Sequence, residues 1–256
     1  MIQERYDKII KQINAKGIVK VPELMKEFRV SIETVRRDLE VLEKQGFLKR
    51  VYGGAILNAS KGVEPTYSSR EVLNQAEKHA IALKTLEFIN DRDTIAIDLG
   101  TTTLEIAKML NRKQDLTVIT NSLQVAMELI NQQNKRVFLI GGQLRGGEYA
   151  TSGFLAMECL KRFRVDKAIV GVGGITTENG IADYHVEEAY VRKQMIDNAE
   201  QVIAVADHSK FGVSALIQVC QLSEIDLLVT DWKVPDETVQ QFEKLQLAMV
   251  TAPKPV

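Results

Sequence analysis

The 256-residue chain has only two cysteines, Cys159 and Cys220, which lie far apart and form no Cys-x-x-Cys pair. This usage favours reduced, buried thiols over a disulfide framework, as in cytoplasmic proteins. No apolar run approaches the roughly 18 residues needed to span a bilayer. The first residues also lack the charge pattern and apolar core of a signal peptide. We therefore expect a cytoplasmic protein without a membrane partner.

Histidine is almost as scarce as cysteine. The three histidines show neither a His-Glu-x-x-His pattern nor a paired ligand spacing, and they are His79, His185 and His208. A zinc site would need several closely spaced imidazole or thiolate ligands. The Walker A loop and the Gly-x-Gly-x-x-Gly dinucleotide motif are missing too, which weakens ATPase and dehydrogenase interpretations. The sequence predicts no metal site and no cofactor.

The charge of the chain is unevenly distributed. Hydrophobic residues make up 45% and charged residues 26%, as in an ordinary globular protein with a substantial core. Residues 1–57 carry 12 Lys/Arg against 8 Asp/Glu, whereas the rest carries 21 against 26. The first segment is therefore basic, at +4, and the remainder acidic, at −5. This asymmetry favours contact of the first segment alone with a polyanion.

The first 57 residues show the pattern of three helices followed by a hairpin. Apolar residues recur at helical spacing between residues 2 and 13, and Gly17 follows as a stop. Pro22 lies near the start of a second helix, where its missing N–H costs nothing. Ser31 is a suitable N-cap for a third helix that ends before Gly46. Residues 47–52, the turn Gly53-Gly54 and residues 55–57 then predict a two-stranded wing.

The third predicted helix combines a core stripe with an opposite polar face that could reach base edges and phosphates. Arginine offers planar, multi-donor groups to guanine or phosphate. The alternative is that Arg36 merely pairs with Glu40 at i, i+4 on a solvated helix. The predicted contacts to DNA are Ser31, Thr34, Arg36 and Arg37 on the helix, and Lys49, Arg50 and Tyr52 on the wing.

Beyond the wing the pattern changes twice. Residues 58–74 are rich in Ser, Gly, Pro and charge, which indicates a linker. Short β-rich runs then alternate with helical patterns, which favours a Rossmann-like, mostly parallel α/β sheet covered on both faces. The runs are residues 94–99, 116–120, 136–140, 167–171, 202–206 and 227–230. We predict a DNA-binding domain over residues 1–57, a linker over 58–74, and a separate α/β domain over 75–256.

The strongest local feature of the second domain is the run from Asp98 to Thr103, directly after a predicted strand. Gly100 permits close backbone approach, and the N–H groups at a helix start can bind an anion together with threonine hydroxyls. The same run could be only a strand-to-helix turn. Ligands in open α/β sheets gather at the carboxyl ends of strands. The candidates there are Asp98, Gly100, Thr101, Thr102, Thr103, Asn121, Gly141, Gly142, Arg145, Asp183 and Lys210.

Acidic and basic residues in this set also leave an enzyme possible. An isomerase needs an acid or base beside a carbonyl, and Asp98, Asp183, Glu187, Glu188 and Lys210 supply the residue types. Glu187 and Glu188 lie at the start of a predicted helix, however, where acidic residues favour the helix dipole without doing chemistry. The alternatives are a sugar-phosphate isomerase-like enzyme with an accessory N-terminal domain, or a DNA-binding module whose α/β domain only oligomerises.

A family resemblance supports the DNA-binding interpretation. The residues that carry it are Val30 to Leu39, Leu42-Glu43, Gly46, Leu48, Arg50 and Tyr52-Gly53-Gly54-Ala55, which resemble the signature of the DeoR family. The resemblance implies a winged helix-turn-helix whose third helix enters the major groove of double-stranded operator DNA. It also implies a repressor of sugar or nucleoside metabolism that acts as a homo-oligomer, a dimer or a tetramer.

The resemblance extends through the second domain, whose turns are similar to the DeoR effector domain. That domain is similar in fold to ribose-5-phosphate isomerase, which implies a phosphorylated sugar or a related metabolite as the effector. The Gly100-Thr101-Thr102 turn and Lys210 match the family best. Arg145, Glu148 and His185 are further effector contacts that the resemblance implies.

Overall fold

The computed structural model describes residues 5–6, 8–10, 12–13, 18–44, 47–57 and 64–255. The chain forms two compact units, Met1–Arg70 and Glu71–Val256. In the first unit the described residues between 5 and 13 are helical, as predicted, while Gly17 and Gly46 lie outside the described residues. The other elements of the first unit are β1 (Ile18–Lys20), α1 (Val21–Phe28), α2 (Ile32–Lys44), β2 (Leu48–Val51) and β3 (Gly54–Leu57).

Helix α2 begins where the sequence predicts it. The backbone N–H of Thr34 donates to Ser31 Oγ at 3.2 Å, so the predicted N-cap is confirmed. The apolar stripe of α2 is buried, and beside it lies a buried carboxylate, Asp38. The guanidinium of Arg5 holds this carboxylate through two hydrogen bonds, of 2.5 and 3.0 Å. This pair anchors α2 to the first helical segment, and it raises the pKa of Arg5.

The wing has three strands, so the prediction of two was wrong. β3 lies between β1 and β2 and pairs antiparallel with both. β1 is only three residues long, and its pairing with β3 is what makes it a strand. The hairpin turn is Tyr52-Gly53, with Gly53 at φ 81°, and not Gly53-Gly54 as predicted. Gly54 instead lies within β3, where a Cβ would sit 2.1 Å from the carbonyl oxygen of Val19.

The region predicted as a linker contains an ordered helix, α3 (Tyr67–Val72). Arg70 connects helix α3 to the residues that precede it. The Nε of Arg70 donates to the carbonyl of Pro65 at 3.0 Å, and its Nη2 pairs with Glu64 at 3.2 Å. Residues 58–63 of the predicted linker lie outside the described residues. The domain boundaries drawn from the sequence stay predictions.

The second unit alternates strands and helices along the chain. Its strands are β4 (Thr94–Ile97), β5 (Thr117–Thr120), β6 (Arg136–Leu139), β7 (Gln143–Arg145), β8 (Ala150–Ser152), β9 (Val165–Gly171), β10 (Gly174–Thr176), β11 (Gly180–Asp183), β12 (Ala199–Val205), β13 (Ile217–Cys220), β14 (Leu227–Asp231) and β15 (Met249–Ala252). Its helices are α4 (Gln75–Thr85), α5 (Thr101–Met109), α6 (Leu123–Leu129), α7 (Phe154–Leu160), α8 (Val186–Asp197) and α9 (Asp236–Glu243). Short 3-10 turns cover Leu86–Phe88, Leu110–Arg112, His208–Lys210 and Leu222–Glu224.

The centre of the second unit is a seven-stranded parallel sheet in the order β15-β14-β12-β9-β4-β5-β6. All six predicted strands belong to it, and β15 is the strand that the sequence did not reveal. Because successive side chains of a strand point to opposite faces of the sheet, each strand contributes side chains to two apolar cores. One core packs β4 and β5 against α4, α5 and α6, and the other packs them against α7, α8 and α9. The predicted α/β class is confirmed.

Two small antiparallel sheets lie beside the main one. β10, β11 and β13 form the first, and the hairpin β7-β8 forms the second. The hairpin is tied to the carboxyl end of β5, because the N–H of Thr151 donates to the carbonyl of Asn121 at 2.9 Å. The N–H of Leu123 likewise donates to the carbonyl of Tyr149 at 2.8 Å. These additions place further polar loops near the carboxyl edge of the sheet.

The cysteines differ in exposure. Cys220 is buried, and burial raises the pKa of its thiol to about 12. Cys159 is exposed, so the expectation that both thiols are buried was wrong for this residue. Across the described ranges, no helix is long and apolar enough to cross a membrane. No group of three His, Cys, Asp or Glu side chains there could hold a metal ion.

Candidate functional site

The outer face of α2 presents two arginines. Arg36 and Arg37 are exposed, on the side of the helix away from buried Val35 and Leu39. Glu40, the residue with which Arg36 could have paired, instead accepts a hydrogen bond from Lys44 at 2.8 Å. Neither arginine makes a hydrogen bond or ion pair with another described residue. Both guanidinium groups are therefore available to an external anion.

The remaining predicted DNA contacts differ in availability. Ser31 and Thr34 lie at the start of α2, with their hydroxyl oxygens 3.1 Å apart. On the wing, Lys49 and Tyr52 are exposed. The third wing residue is engaged: Arg50 Nε donates to Glu43 Oε2 at 2.6 Å, and its backbone N–H donates to Oε1 at 2.7 Å. These bonds lower the pKa of Glu43, and a phosphate would have to compete with this carboxylate for Arg50.

The second candidate site lies where the strand order of the main sheet reverses. The chain runs outward through β4, β5 and β6, and then returns to place β9 on the other side of β4. The loops that leave β4 and β9 therefore diverge, and such a switch point leaves a crevice at the carboxyl ends of the strands. Asp98 follows β4 there, and its backbone N–H donates to the carbonyl of Ile169 on β9 at 3.0 Å.

A buried cluster of two carboxylates and one guanidinium lies at this switch point. Arg192 of α8 donates to Asp98 through Nε and to Asp183 through Nη1, and all three side chains are at most 5% exposed. Asp183 ends β11, and its other oxygen accepts the backbone N–H groups of Tyr184 and His185. Arg192 of α8 thus connects a residue that follows β4 of the main sheet to the last residue of β11 in a second sheet.

The two carboxylates of this cluster differ electrostatically. Burial raises the pKa of Asp98 to about 6, against the lowering effect of Arg192. Burial also disfavours charged Asp183, but Arg192 and the backbone N–H of His185 together hold its pKa below the usual value. Burial alone would lower the pKa of Arg192, yet the two carboxylates raise it well above its ordinary value. Arg192 and Asp183 therefore stay charged, while Asp98 can gain or lose a proton near neutral pH.

Two buried polar atoms at the crevice lack a partner within the described part of the chain. They are Asp98 Oδ1 and Asn121 Nδ2, and both side chains are fully buried. The other amide atom of Asn121, Oδ1, accepts the backbone N–H of Leu99 at 3.0 Å, which holds this side chain beside the Asp98 turn. Leaving a buried donor or acceptor unpaired costs about 1–3 kcal/mol. A polar ligand that pairs with both atoms would remove this cost.

The start of α5 adds an anion-binding feature next to Asp98. The first intrahelical hydrogen bond of α5 runs from Leu104 N–H to the carbonyl of Gly100 at 3.0 Å. The N–H groups of the three threonines before Leu104 are therefore left for another acceptor. Thr102 is half-buried, whereas Thr103 is buried and its hydroxyl donates to the Gly100 carbonyl at 3.0 Å. The Thr103 hydroxyl thus stabilises the turn, and only the backbone N–H of Thr103 is left to bind a ligand.

Several other predicted residues are already engaged in structural contacts. Arg145 donates to Glu188 Oε2 at 2.8 Å, and Glu188 lies one helical turn before Arg192 on α8. At Gly142, a Cβ would lie 2.5 Å from the carbonyl oxygen of Ser152, so this glycine permits close packing of the hairpin. Gly141 is exposed, and Glu148 is buried in the hairpin loop.

The last predicted residues lie in other turns. His185 is exposed and precedes α8, while Lys210 is half-buried in the turn that follows β12. In that turn Asp207 Oδ1 accepts hydrogen bonds from the side chain of Asn74 and the N–H of Ser209, at 3.0 and 2.9 Å. His208 contacts the buried carboxylate of Asp231 at 3.1 Å.

Arg192 is not among the residues predicted from the sequence. Glu188, predicted only to stabilise the helix dipole, is buried and pairs with Arg145. The spacing of Glu188 and Arg192 places both on one face of α8. Charged residues four apart on a helix are common, however, and only the fold shows that this face is buried.

A winged helix-turn-helix unit joined to an α/β unit with a polar crevice at its switch point defines a DNA-binding regulator with a ligand-sensing domain. Residues 5–61 match the DeoR-like helix-turn-helix domain, and residues 73–232 match the DeoR C terminal sensor domain. The chain belongs to the DeoR family of transcriptional regulators.

Curated relatives are similar over nearly the whole chain. The HTH-type transcriptional repressor GlcR of Bacillus subtilis is 37% identical over 235 residues, which cover 92% of this chain and 90% of the relative. The glycerol-3-phosphate regulon repressor of Escherichia coli K12 is 33% identical over 237 residues, covering 93% and 94%. These relatives are regulators and not enzymes, so the isomerase alternative is not supported and this chain is a regulator.

Ribose 5-phosphate isomerase A of Neisseria gonorrhoeae is a solved structure with a distant likeness to part of this chain. The likeness covers 54% of each chain, with a TM-score of 0.40 and 18% sequence identity. A likeness at this level carries no argument about the activity of this chain.

Proposed function

We propose that this protein is a repressor of genes for sugar or related carbon metabolism, and that a phosphorylated sugar or a related metabolite controls its binding to double-stranded operator DNA. Relatives named as repressors of the glycerol-3-phosphate regulon and as GlcR support this assignment. The protein acts in the cytoplasm as a homo-oligomer, a dimer or a tetramer, because helix-turn-helix domains read paired half-sites.

The DNA-binding part of the proposal rests on α2. Arg36 and Arg37 are exposed and uncommitted, and Ser31 and Thr34 present hydroxyls at the start of the same helix. A helix with this arrangement can enter the major groove and offer its arginines to guanine edges or phosphates. Lys49 and Tyr52 at the wing would then contact the backbone, and Arg50 would join them on leaving Glu43.

The effector part of the proposal is carried by one observation, the two unpartnered buried atoms Asp98 Oδ1 and Asn121 Nδ2 beside the open start of α5. The backbone N–H groups and the Thr101 and Thr102 hydroxyls suit a phosphate, with Lys210 as its countercharge. Asp98 and Asn121 offer an acceptor and a donor, the pair that sugar hydroxyls need. The effector changes DNA affinity only if it binds the DNA-competent and incompetent states differently.

A thermal-shift screen of the intact protein tests the effector site. The probes are glucose 6-phosphate, fructose 6-phosphate and glycerol 3-phosphate, with the unphosphorylated compounds and inorganic phosphate as controls. A ligand at 100 times its dissociation constant adds about 2.7 kcal/mol, which is several degrees for this size. We expect at least one phosphorylated probe to exceed its controls. No shift with any phosphorylated compound in a broad panel would contradict the proposed effector class.

A double variant locates the site. We expect Thr102→Ala with Lys210→Ala to abolish the shift without lowering DNA binding. The matched control is Thr117→Ala with Lys113→Ala, which makes the same chemical change at the amino end of β5. A normal shift in the Thr102/Lys210 variant would show that the anion binds elsewhere.

Operator selection from random duplexes, followed by anisotropy titration, tests the DNA face. We expect Arg37→Ala to lower operator affinity by roughly 5- to 150-fold, the equivalent of about 1–3 kcal/mol for one base contact. Binding should also weaken steeply with added salt. Arg112→Ala removes an exposed arginine in the second unit and should change little. Wild-type affinity in folded Arg37→Ala would refute the assignment of Arg37.

A further inference from the structure

The two edge strands of the main sheet differ in how they are protected against pairing with a further strand. At one edge, β15 exposes only Thr251 among its residues, and Pro253 and Pro255 follow it, so proline limits further pairing. At the other edge, β6 pairs with β5 on its inner side and with no strand of the described chain on its outer side, and Arg136, Phe138 and Leu139 are exposed. Proteins usually protect such edges with charge, proline or a covering element. β6 carries one exposed charge, Arg136, and keeps the apolar Phe138 and Leu139 exposed beside it.

The backbone of β6 is free to accept another strand. The N–H of Arg136 donates to Leu116 and the N–H of Ile140 donates to Thr120, both toward β5. In a parallel ladder alternate residues bond to the same neighbour, so the backbone groups of Val137 and Leu139 point away from β5. These N–H and carbonyl groups form an open ladder on the outer side of the sheet.

Apolar side chains are also exposed on helices that pack on the two faces of the sheet. Met127 and Ile130 are exposed on and just after α6, the helix that packs on one face of β5 and β6. Phe154 and Leu155 are exposed on α7, which packs in the core on the opposite face. We call the set Met127, Ile130, Phe138, Leu139, Phe154 and Leu155 the β6 rim; its members are between 37% and 76% exposed.

We propose that the β6 edges of two copies of this chain pair antiparallel across a two-fold axis, which makes their sheets continuous and buries the β6 rim. This interface rests on the homo-oligomer of the proposed function. A two-fold axis normal to the sheet keeps each face on its own side, so α6 meets α6 and α7 meets α7. A surface of uncharged side chains is complementary to itself, and an isologous contact uses the same patch on both copies.

The size of the β6 rim agrees with a stable dimer. Its exposed fractions together equal nearly four fully exposed large apolar side chains, on the order of 700 Å² at about 150–250 Å² each. Stable interfaces bury roughly 800 Å² per partner. The backbone ladder of β6 supplies the remaining area and directional hydrogen bonds.

Sedimentation velocity of the full-length protein over a concentration series tests this interface. Leu139→Lys places a charge in the edge strand, and Leu139→Pro removes an outward N–H that makes no bond to β5. We expect each to raise the dimer dissociation constant at least tenfold. Leu245→Lys, at another exposed leucine after α9, is the matched control and should assemble like the wild type. Circular dichroism confirms that each variant is folded.

The possible outcomes distinguish failure of the β6 interface from failure of the proposed function. If both Leu139 variants assemble like the wild type, or if the wild type is a monomer throughout, the β6 interface is refuted. If only Leu139→Lys and Leu139→Pro dissociate, and both keep the thermal shift with the phosphorylated probe, the interface is supported independently of the effector site. Absence of a thermal shift in the wild type with every phosphorylated probe would contradict the effector proposal and leave the β6 interface unaffected.

Discussion

Removing the guanidinium of Arg192 tests whether the buried cluster holds the sensor domain together. In Arg192→Met the methionine keeps most of the side-chain volume, but Asp98 and Asp183 lose their shared countercharge. Both carboxylates are at most 3% exposed, so bulk solvent does not compensate for the lost charge. Removing one member of a buried ion pair costs about 3–5 kcal/mol. At roughly 2–4 °C per kcal/mol for a domain of this size, the expected loss of melting temperature is on the order of 10 °C.

The assay is calorimetry of the full chain at pH 7.5, with the neighbouring Lys193→Met as a matched control. Lys193 pairs with Asp197 and Glu224 at the surface, where an ion pair contributes about 0–1 kcal/mol. We expect Arg192→Met to lose less melting temperature relative to the wild type at pH 5.5 than at pH 7.5. Without Arg192, Asp98 and Asp183 take up protons more readily at the lower pH, and a protonated carboxyl needs no countercharge. A loss no larger than that of Lys193→Met, or one that does not change with pH, would refute the electrostatic account of this cluster.

Two further predictions concern other parts of the fold. Gly54→Ala should destabilise the wing by about 1–3 kcal/mol and weaken operator binding, since the new Cβ would lie 2.1 Å from the Val19 carbonyl; unchanged melting and binding would contradict this. His208→Asn should cost more stability at pH 6 than at pH 8.5. The hydrogen bond to Asp231 raises the pKa of His208, so its stabilisation is complete below about pH 6.5 and is lost as the pH rises through the folded-state pKa; equal losses at both pH values would contradict it.

The parts of the fold that could be predicted are those with a local signal. Ser31 marks the start of α2 because an N-cap acts within one turn, and the six apolar runs are strands of one parallel sheet. β1 and β15 were missed because neither has a clear strand pattern of its own in the sequence. Their strand conformation depends on pairing with β3 and β14, which are distant in sequence.

The candidate site was only partly predictable for the same reason. Asp98, Asn121 and the threonine turn could be found because each directly follows an apolar strand, and strand ends meet at one edge. Arg192 lies in the middle of a helix, and nothing near it in sequence shows that it joins Asp98 to Asp183. The role of Glu188 likewise depends on Arg145 from a hairpin more than 40 residues earlier.

The central claim is that a phosphorylated ligand at the switch-point crevice controls DNA binding by α2. The most direct test is an anisotropy titration of the selected operator with and without saturating phosphorylated ligand, for the wild type and the Thr102→Ala/Lys210→Ala variant. Allosteric coupling of about 1–3 kcal/mol predicts a change in wild-type affinity of roughly 5- to 150-fold, and no change in the variant. Wild-type operator affinity that stays constant under saturating ligand would contradict the account.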